Sequence, residues 1–255
     1  MTVRVTLSTI DGIPLVKPGD DLAAFLIAAL DKEGRDLRKG DIVVVAQKIV
    51  SKAEGRQLEL SGVSPSLEAR VLARQTGKDP RLMEAVLRES REVVRSKPGV
   101  VVVEHRLGHV LANAGIDHSN VDGGKDEDTV LLLPENPDVS AAQLKRRLDE
   151  RYQAEVGVVI SDSVGRAWRL GTVGIALGLA GIPALEDRRG DPDLFGRELM
   201  ITITGFADAV AAAATMVMGE ADEATPAVVI SGLHWAGAPA TASDLLRPRE
   251  EDMFR

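Results

Sequence analysis

Apolar residues recur along this chain in two patterns, one with helical spacing and one as short continuous runs. Between Leu22 and Leu30, apolar side chains return every three or four residues, which places them on one face of a helix. Asp20 and Asp21 precede this stretch and Gly34 follows it, so we predict a helix capped by aspartate and ended by the glycine. The same reasoning predicts helices over residues 64–77 (beginning at Ser64 or Ser66), 80–94, 140–152 and 206–218.

Short β-branched runs predict the strands. Residues 41–46 form such a run between Gly40 and polar Gln47. Comparable runs predict strands over residues 100–104, 129–133, 156–160, 199–204 and 227–230. We interpret the glycine-rich segment 171–181 as small residues packed tightly against a sheet, in preference to close approach of a ligand. Because strands and helices are intermixed, the predicted class is α+β, with mixed α/β sheets, flanking helices and residues 1–255 as one unit.

Composition excludes several classes of protein. The 255 residues include no cysteine and 4 histidines, so thiolate chemistry is excluded and an all-histidine metal centre is disfavoured. Aromatic residues make up 3% and the net charge is −8, which disfavours a nucleic-acid-binding surface. No apolar window has the length of a membrane span, and residues 1–18 lack the features of a signal peptide. We therefore expect a cytoplasmic protein with no membrane or nucleic-acid partner.

Other familiar signals are absent or lie at the surface. The sequence contains no phosphate-binding loop of the Walker type, no dinucleotide fingerprint, no nucleophile elbow and no zinc-protease motif. Residues 122–128 and the charged tail 248–255 are predicted to be exposed and flexible.

The first candidate for chemistry follows the predicted strand 156–160. Asp162 and Ser163 come directly after it, with Arg166 and Arg169 nearby. Ligand sites lie beyond the carboxyl ends of parallel strands, and carboxylate and hydroxyl oxygens suit Mg²⁺ or Mn²⁺. The arginines could meet phosphate or carboxylate oxygens. The alternative is that Asp162 caps the next turn through backbone amides.

Two further acidic segments are candidates for the same cation chemistry. Asp117 offers a carboxylate and Asn120 an amide, although this polar stretch could equally be an Asx-rich turn; His118 is given no role. Residues 218–223 place acids at the end of the alanine-rich helix, where they oppose the helix dipole. A compensating cation explains them, and so does a solvated helix exit.

Cations gather in a fourth segment. Lys48, Lys52 and Arg56 are four residues apart and would share one face of a helical turn, which suits an anionic ligand or a solvated charged face. Residues 186–198 mix both charges and could bind a polar substrate or form a salt-bridged loop. Dispersed acids with local cations, and no cysteine or histidine nucleophile, favour metal-assisted handling of phosphates.

Several short segments form a recognisable set. They are IPLVKPGDDL at 13–22, AQKIVSKAEGR at 46–56, NAGID at 113–117, SNV at 119–121, DS at 162–163, GR at 165–166, WRLGTVG at 168–174 and MGE at 218–220. In content and order this set resembles the coenzyme F420-0:L-glutamate ligase family. The resemblance covers nearly the whole chain and is far more specific than any single motif.

The resemblance implies a GTP-dependent ligase that joins L-glutamate to the lactyl-phosphate end of the deazaflavin coenzyme F420-0, with further γ-linked glutamates as an extension. The expected route passes through an acyl phosphate and releases GDP and phosphate. The expected cofactors are two divalent cations, Mg²⁺ or Mn²⁺, with a monovalent cation as an option. The family also implies a homodimer, with two intertwined subdomains in the fold.

Carried over by position, the resemblance assigns residues to three roles. The cations would be held by Asp117, Asp162, Ser163 and Glu220, and the catalytic residues would be Asp162 and Lys52. The GTP contacts would be Ile13, Pro14, Leu15, Val16, Gln47, Lys48, Lys52, Asn120, Met218, Gly219, Glu220, Ala221, Asp222, Glu223, Ala224 and Thr225. Arg166, Arg169 or Arg197 would grip substrate carboxylates, on charge type alone.

The sequence departs from archaeal members of the family at two places. Ser163 stands where they carry threonine, which keeps the hydroxyl, and the segment after Glu220 lacks their glycines. Two other interpretations stay open at this point. One is a guanine-nucleotide-binding regulatory module without catalysis, and the other is a related ligase that acts on a different carboxylate.

Overall fold

The computed structural model describes residues 4–120 and 128–254, in which six α-helices confirm most of the helical pattern. The first begins after Asp21, whose carboxylate accepts the Ala24 amide, and the third is capped by Ser66 and ended by left-handed Gly77. The helices are α1 (Leu22–Lys32), α2 (Gln47–Ala53), α3 (Leu67–Thr76), α4 (Pro80–Arg88), α5 (Pro137–Tyr152) and α6 (Phe206–Met218).

Twelve strands of the described chain form one larger sheet and three small ones, which confirms the α+β class. The strands are β1 (Thr6–Thr9), β2 (Ile42–Ala46), β3 (Gln57–Glu59), β4 (Ser90–Lys97), β5 (Val100–His105), β6 (Val110–Ala112), β7 (Thr129–Leu131), β8 (Gly157–Arg166), β9 (Arg169–Ala180), β10 (Glu186–Asp187), β11 (Ile203–Thr204) and β12 (Ala227–Ser231). The larger sheet has the order β1-β12-β2-β8-β9, and within it β2 and β8 run parallel.

The larger sheet is covered on both faces. Val43 and Val45 of β2 point into one core, which α1, α2 and α5 complete. The alternate residues Ile42 and Val44 point into a second core under α6. Because both faces of β2 are buried, its sequence is a continuous apolar run. A third core lies between α3, α4 and β5, and it includes the fully buried side chain of Met83.

Several predicted elements are wrong in their bounds, and some elements of the structure were missed. The helix predicted to reach residue 94 ends at Arg88, and β4 follows because residues 90–97 pair with β5 in an antiparallel hairpin. Of the predicted strand 199–204, only residues 203–204 pair with another strand; Met200 and Ile201 are exposed. Strand β8 continues six residues beyond the predicted end, to Arg166, and its partner β9 is the glycine-rich segment that was left unassigned. Polar residues and glycines hide both strands from a search for apolar runs.

Glycines in β9 allow two helices to lie directly on the sheet. A β-carbon at Gly174 would stand 2.6 Å from the Ala211 carbonyl oxygen of α6. A β-carbon at Gly178 would stand 2.3 Å from the carbonyl carbon of Pro137 in α5. These contacts confirm the interpretation of this segment as tight packing.

Three further expectations concern the loop at 122–128, the charged tail and a membrane span. The predicted loop at 122–128 lies almost wholly outside the described residues. In the tail, Arg249 forms an ion pair with Glu92, and its flexibility stays a prediction. None of the described helices is both long enough and apolar enough to cross a bilayer.

Adding a methyl group at Gly178 tests the packing of α5 against β9. We expect Gly178→Ala to lower the free energy of unfolding by about 1–3 kcal/mol, because the backbone of Pro137 must move. Gly165→Ala is the matched control, since a β-carbon there meets nothing within 4 Å and its effect should stay within about 0.5 kcal/mol. Urea denaturation followed by circular dichroism measures both, and equal stability of the two variants would contradict the packing.

Candidate functional site

The site begins where two parallel strands part. Pairing between β2 and β8 ends at Ala46 and Ser161. At that point β2 ends and helix α2 begins, whereas β8 continues outward. The start of α2, with Gln47 and Lys48, therefore lies beside Asp162 and Ser163 at the carboxyl end of β2. No turn begins at Asp162, because β8 runs on to Arg166.

A cavity of about 640 Å³ opens at this edge of the sheet. It is lined by all the residues that the sequence assigned to GTP, catalysis or metal: Ile13, Pro14, Leu15, Val16, Gln47, Lys48, Lys52, Asn120, Asp117, Asp162, Ser163, Met218, Gly219, Glu220, Ala221, Asp222, Glu223, Ala224 and Thr225. The structure thus brings five segments of the chain together, although it does not by itself test their roles. The lining also includes residues that the sequence left without a role: Ala46, Ile49, Ser119, Ser161, Thr215 and Pro226.

Lys48 and Asp117 form a short ion pair inside the cavity. Lys48 Nζ lies 2.6 Å from Asp117 Oδ2 and donates to Ser119 Oγ at 2.8 Å. The other carboxylate oxygen, Asp117 Oδ1, accepts the backbone N–H and the hydroxyl of Ser119. Although burial acts to raise the pKa of Asp117, the hydrogen bonds from Lys48 and Ser119 hold it below the usual value. Asp117 therefore both forms an Asx turn and faces the cavity, and Ser119 could have been found from its place two residues further on.

Asp162 is a half-buried carboxyl without a paired cation of its own among the described contacts. Burial raises the pKa of Asp162 to about 7, and the nearby charge of Asp117 adds to the rise. A hydrogen bond from the Ser163 backbone and one from the Gln47 amide act in the opposite direction. Gln47 is buried and is held in turn by Ser51, whose hydroxyl donates to its side-chain oxygen at 2.9 Å. A bound cation would offset the cost of ionising Asp162.

The end of α6 supplies the opposite wall. Ser163 Oγ donates to Glu220 Oε1 at 2.5 Å, which joins β8 to the segment after the helix. Asn120 Nδ2 donates to the Ala221 carbonyl oxygen at 3.1 Å and ties in the segment that carries Asp117. These two bonds close the cavity between elements that are far apart in sequence.

The segment after Glu220 forms its turns with few glycines. Gly219 has φ 76°, and Ala224 adopts the left-handed region at φ 54°, where glycine is the usual residue. The Glu223 carboxylate accepts the Ala221 backbone N–H at 2.8 Å, and such backbone bonds lower the pKa of Glu223. Thr225 Oγ1 donates to the Met218 carbonyl oxygen and fixes the far end of the segment. The segment therefore forms its turns without the glycines of the archaeal relatives. It uses one alanine in the left-handed region and side-chain hydrogen bonds instead.

The donor atoms fit divalent cations in chemistry, but they are not assembled as a finished metal site. Carboxylates and a hydroxyl are oxygen ligands that Mg²⁺ and Mn²⁺ prefer. Asp117 and Asp162 are close enough to interact electrostatically, and Ser163 contacts Glu220. Within residues 4–120 and 128–254, no three acidic or histidine side chains already form a metal-binding group. The residues therefore offer two pairs of oxygen donors, Asp117 with Asp162 and Ser163 with Glu220, which a bound cation would bring closer together.

Several arginines that the sequence offered as candidate ligand-binding residues lie outside the cavity. Arg56 lies beyond the end of α2, where it pairs with Glu89 and Glu135, so it does not share the cavity face with Lys48 and Lys52. Arg166, Arg169 and Arg197 are outside the cavity lining of this chain, and their role in gripping a substrate stays a prediction. The mixed-charge segment 186–198 holds local ion pairs, Arg188 with Asp191 and Arg189 with Asp187.

Fold and site together define an α+β protein with an acid- and lysine-lined cavity for a small ligand at the end of a parallel strand pair. Residues 12–232 match the family model described as F420-0:Gamma-glutamyl ligase. The chain belongs to this family of ligases, as its sequence motifs led us to expect.

Curated relatives agree over the full length. The chain is 48% identical over 253 residues to the "Coenzyme F420:L-glutamate ligase" of Methanothermobacter thermautotrophicus, covering 98% of this chain and 99% of the relative. It is 42% identical to the protein of the same name from Archaeoglobus fulgidus, covering 99% and 97%. The namesake from Natronomonas pharaonis is 44% identical and covers 95% and 91%.

The raised pKa of Asp162 predicts a pH-dependent stability. The folded state keeps this proton up to about pH 7, whereas the unfolded chain loses it near 3.8, so ionisation costs stability as the pH rises between these values. In EDTA, we expect Asp162→Asn to match the unsubstituted protein near pH 4 and to exceed its free energy of unfolding by about 2–4 kcal/mol above pH 7. Denaturation in urea across this range measures the difference, and a difference that does not change with pH would contradict the assignment.

Proposed function

We propose that this protein is a GTP-dependent amide ligase that joins L-glutamate to the carboxylate of coenzyme F420-0. The observation that carries the proposal is the single cavity in which lysines from α2 face carboxylates from β8, from the segment after α6 and from the Asp117 turn. Membership of the ligase family and the names of the relatives support the choice of acceptor and amino acid. The choice of nucleotide rests on the resemblance of the cavity segments to the family.

A carboxylate needs activation before an amine can displace its oxygen. In the proposed route, the γ-phosphoryl group of GTP moves to the acceptor carboxylate and leaves GDP, which gives an acyl phosphate. The amine of glutamate then attacks the acyl carbon, the C–O bond to phosphate breaks, and inorganic phosphate leaves. The balanced products are the amide, GDP and phosphate.

The chain's own residues divide the work according to their charge and position. Lys48 and Lys52 bring positive charge to the nucleotide phosphates from one face of α2, and Lys52 stabilises the phosphoryl group during transfer. Residues 13–16 and 218–225 enclose the nucleotide, the first as an apolar wall and the second as a polar loop. Asp117, Asp162, Ser163 and Glu220, which all line the cavity, would hold the divalent cations. When bound, Mg²⁺ or Mn²⁺ would neutralise phosphate charge and align the transfer.

The ligase reaction itself tests this proposal. Protein incubated with coenzyme F420-0, L-glutamate, Mn²⁺ and GTP should release GDP and yield a product heavier by one glutamate residue, as read by mass spectrometry. ATP should support the reaction poorly. GTP binding with no release of phosphate when coenzyme and glutamate are both present would favour a regulatory module, and product formed only with other acceptors would favour a related ligase.

Replacing Asp162 tests its place in the mechanism. We expect Asp162→Asn to lower glutamate-dependent GDP release by about 100-fold or more, because a neutral amide cannot balance the cation charge. Asp36→Asn is the control, since Asp36 is exposed in the loop at the opposite end of β2 and should leave turnover unchanged. Unchanged turnover of Asp162→Asn at saturating Mn²⁺ would remove Asp162 from the site.

We also propose that two chains form a homodimer. Large apolar side chains are left exposed on the β8–β9 hairpin and in the segment before β11: Trp168, Leu170, Leu194, Phe195, Met200 and Ile201. Exposed apolar surface of this kind is typical of protein interfaces, and the family resemblance also supports a dimer. A cytoplasmic location and a monovalent cation remain proposals that rest on the sequence.

Light scattering tests the dimer. The unsubstituted protein should have twice the mass of one chain at micromolar concentration. Phe195→Asp should shift the mass toward a monomer, because it would bury a charge in the interface. Leu67→Asp, at an equally exposed apolar position on α3, is the control that should remain dimeric. A monomeric mass for the unsubstituted protein would refute the dimer.

A further inference from the structure

The ion pair between Lys48 and Asp117 occupies part of the proposed cation site. The ammonium nitrogen lies 2.6 Å from Asp117 Oδ2, and both side chains are about 70% shielded from solvent, with exposed fractions of 27% and 30%. An ammonium at this distance uses the same carboxylate oxygen that a divalent cation would need. The second oxygen, Oδ1, already accepts two hydrogen bonds from Ser119.

The backbones of both partners of the ion pair are held in place by the fold, while the lysine side chain keeps its own rotational freedom. Lys48 lies in the first turn of α2, directly after the buried strand β2. Asp117 is fixed by two backbone hydrogen bonds with Leu131, at 3.0 and 2.9 Å. The contact is therefore built into the architecture and is unlike a pair of long side chains that meet by chance at the surface.

The surrounding charges make this lysine important in the absence of ligand. Asp162 and Asp117 interact electrostatically, and Lys48 is a cation that acts on both carboxylates. If the ammonium left without replacement, two neighbouring carboxylates would face each other in a half-buried place, which is costly. A divalent cation or Lys48 can meet this need, but both cannot use Asp117 Oδ2 at once.

We infer that Lys48 is an internal placeholder cation, which makes binding of a divalent ion at Asp117 conditional on an anionic ligand. Phosphate groups in the cavity draw the flexible lysine away from Asp117 and so free the carboxylate for the divalent ion. Without phosphate groups, the lysine competes with the ion. The identity of the anionic ligand as a guanine nucleotide rests on the proposed function, whereas the competition rests on the ion pair alone.

This arrangement couples two ligands through one side chain. By thermodynamic linkage, the factor by which nucleotide tightens binding of the divalent ion equals the factor by which the ion tightens binding of nucleotide. A site of this kind stays free of tightly bound metal until the nucleotide arrives. It also accounts for the absence of a preassembled metal-binding group in the described part of the cavity.

Removing the lysine charge tests the competition directly. Mn²⁺ alone is titrated into the protein and its free concentration is followed by electron paramagnetic resonance. We expect Lys48→Met to bind Mn²⁺ about tenfold more tightly than the unsubstituted protein when no nucleotide is present. Lys39→Met, which removes one positive charge at the opposite end of β2, should leave Mn²⁺ affinity unchanged.

Two further measurements make the result specific. The gain should disappear in the double variant Lys48→Met/Asp117→Asn, because the vacated carboxylate is then absent. GDP should tighten Mn²⁺ binding in the unsubstituted protein by a factor that is much smaller in Lys48→Met. Circular dichroism and a thermal melt with and without Mn²⁺ show that each variant is folded, and Mn²⁺ should raise the melting temperature of Lys48→Met more than that of the unsubstituted protein.

Either of two results would overturn the inference. The first is equal Mn²⁺ affinity of folded Lys48→Met and the unsubstituted protein without nucleotide. The second is a gain that survives Asp117→Asn. Failure of the proposed function is distinguishable from both, because it would appear as absence of GDP binding while the comparison without nucleotide still gives its own answer.

Discussion

Two parallel strands of unequal length determine this site. β2 and β8 leave the sheet core side by side, but β2 turns into α2 at Ala46 while β8 continues through Asp162 to Arg166. The difference in length places a lysine from the start of a helix, Lys48, beside an acid on an extended strand, Asp162. Because both faces of the paired strands are buried, neither can slide without moving apolar residues into solvent, so the spacing between the two charged groups is fixed.

The charged side chains in the cavity interact with groups from other segments of the chain. Among the described residues, Asp162 has no ion-pair partner of its own, Asp117 pairs with Lys48, and Glu220 accepts a hydrogen bond from Ser163. In the proposed function, the lysines compensate the carboxylates until divalent cations bind, which would allow an acidic protein to hold a polyanion. It also joins the proposals on catalysis and on coupled binding, because both depend on where one ammonium group lies.

Local sequence patterns were sufficient to predict most of the helices and the buried strands, but not the strands that lack an apolar run. Caps such as Asp21 and Ser66, and buried runs such as 42–46, act through neighbouring residues, so α1, α3 and β2 could be predicted closely. The strands β4 and β9 could not, because many of their own residues are charged or glycine and give no apolar run, although each pairs with a neighbouring strand in a hairpin. The apolar segment near Met200 misled the prediction in the opposite way. A run of apolar residues suggests a buried strand, but Met200 and Ile201 are exposed and unpaired in the described chain.

Residue types and family motifs located the cavity lining, but its internal contacts depend on tertiary structure. Lys48 and Asp117 are far apart in sequence, and nothing local indicates that they form an ion pair. A crystal structure with Mn²⁺ and GDP tests the central claim most directly. Our account predicts anomalous Mn²⁺ peaks within coordination distance of the Asp117 and Asp162 carboxylates, with GDP in the same cavity and Lys48 turned toward its phosphates. Metal peaks at another surface, or GDP bound away from α2, would contradict it.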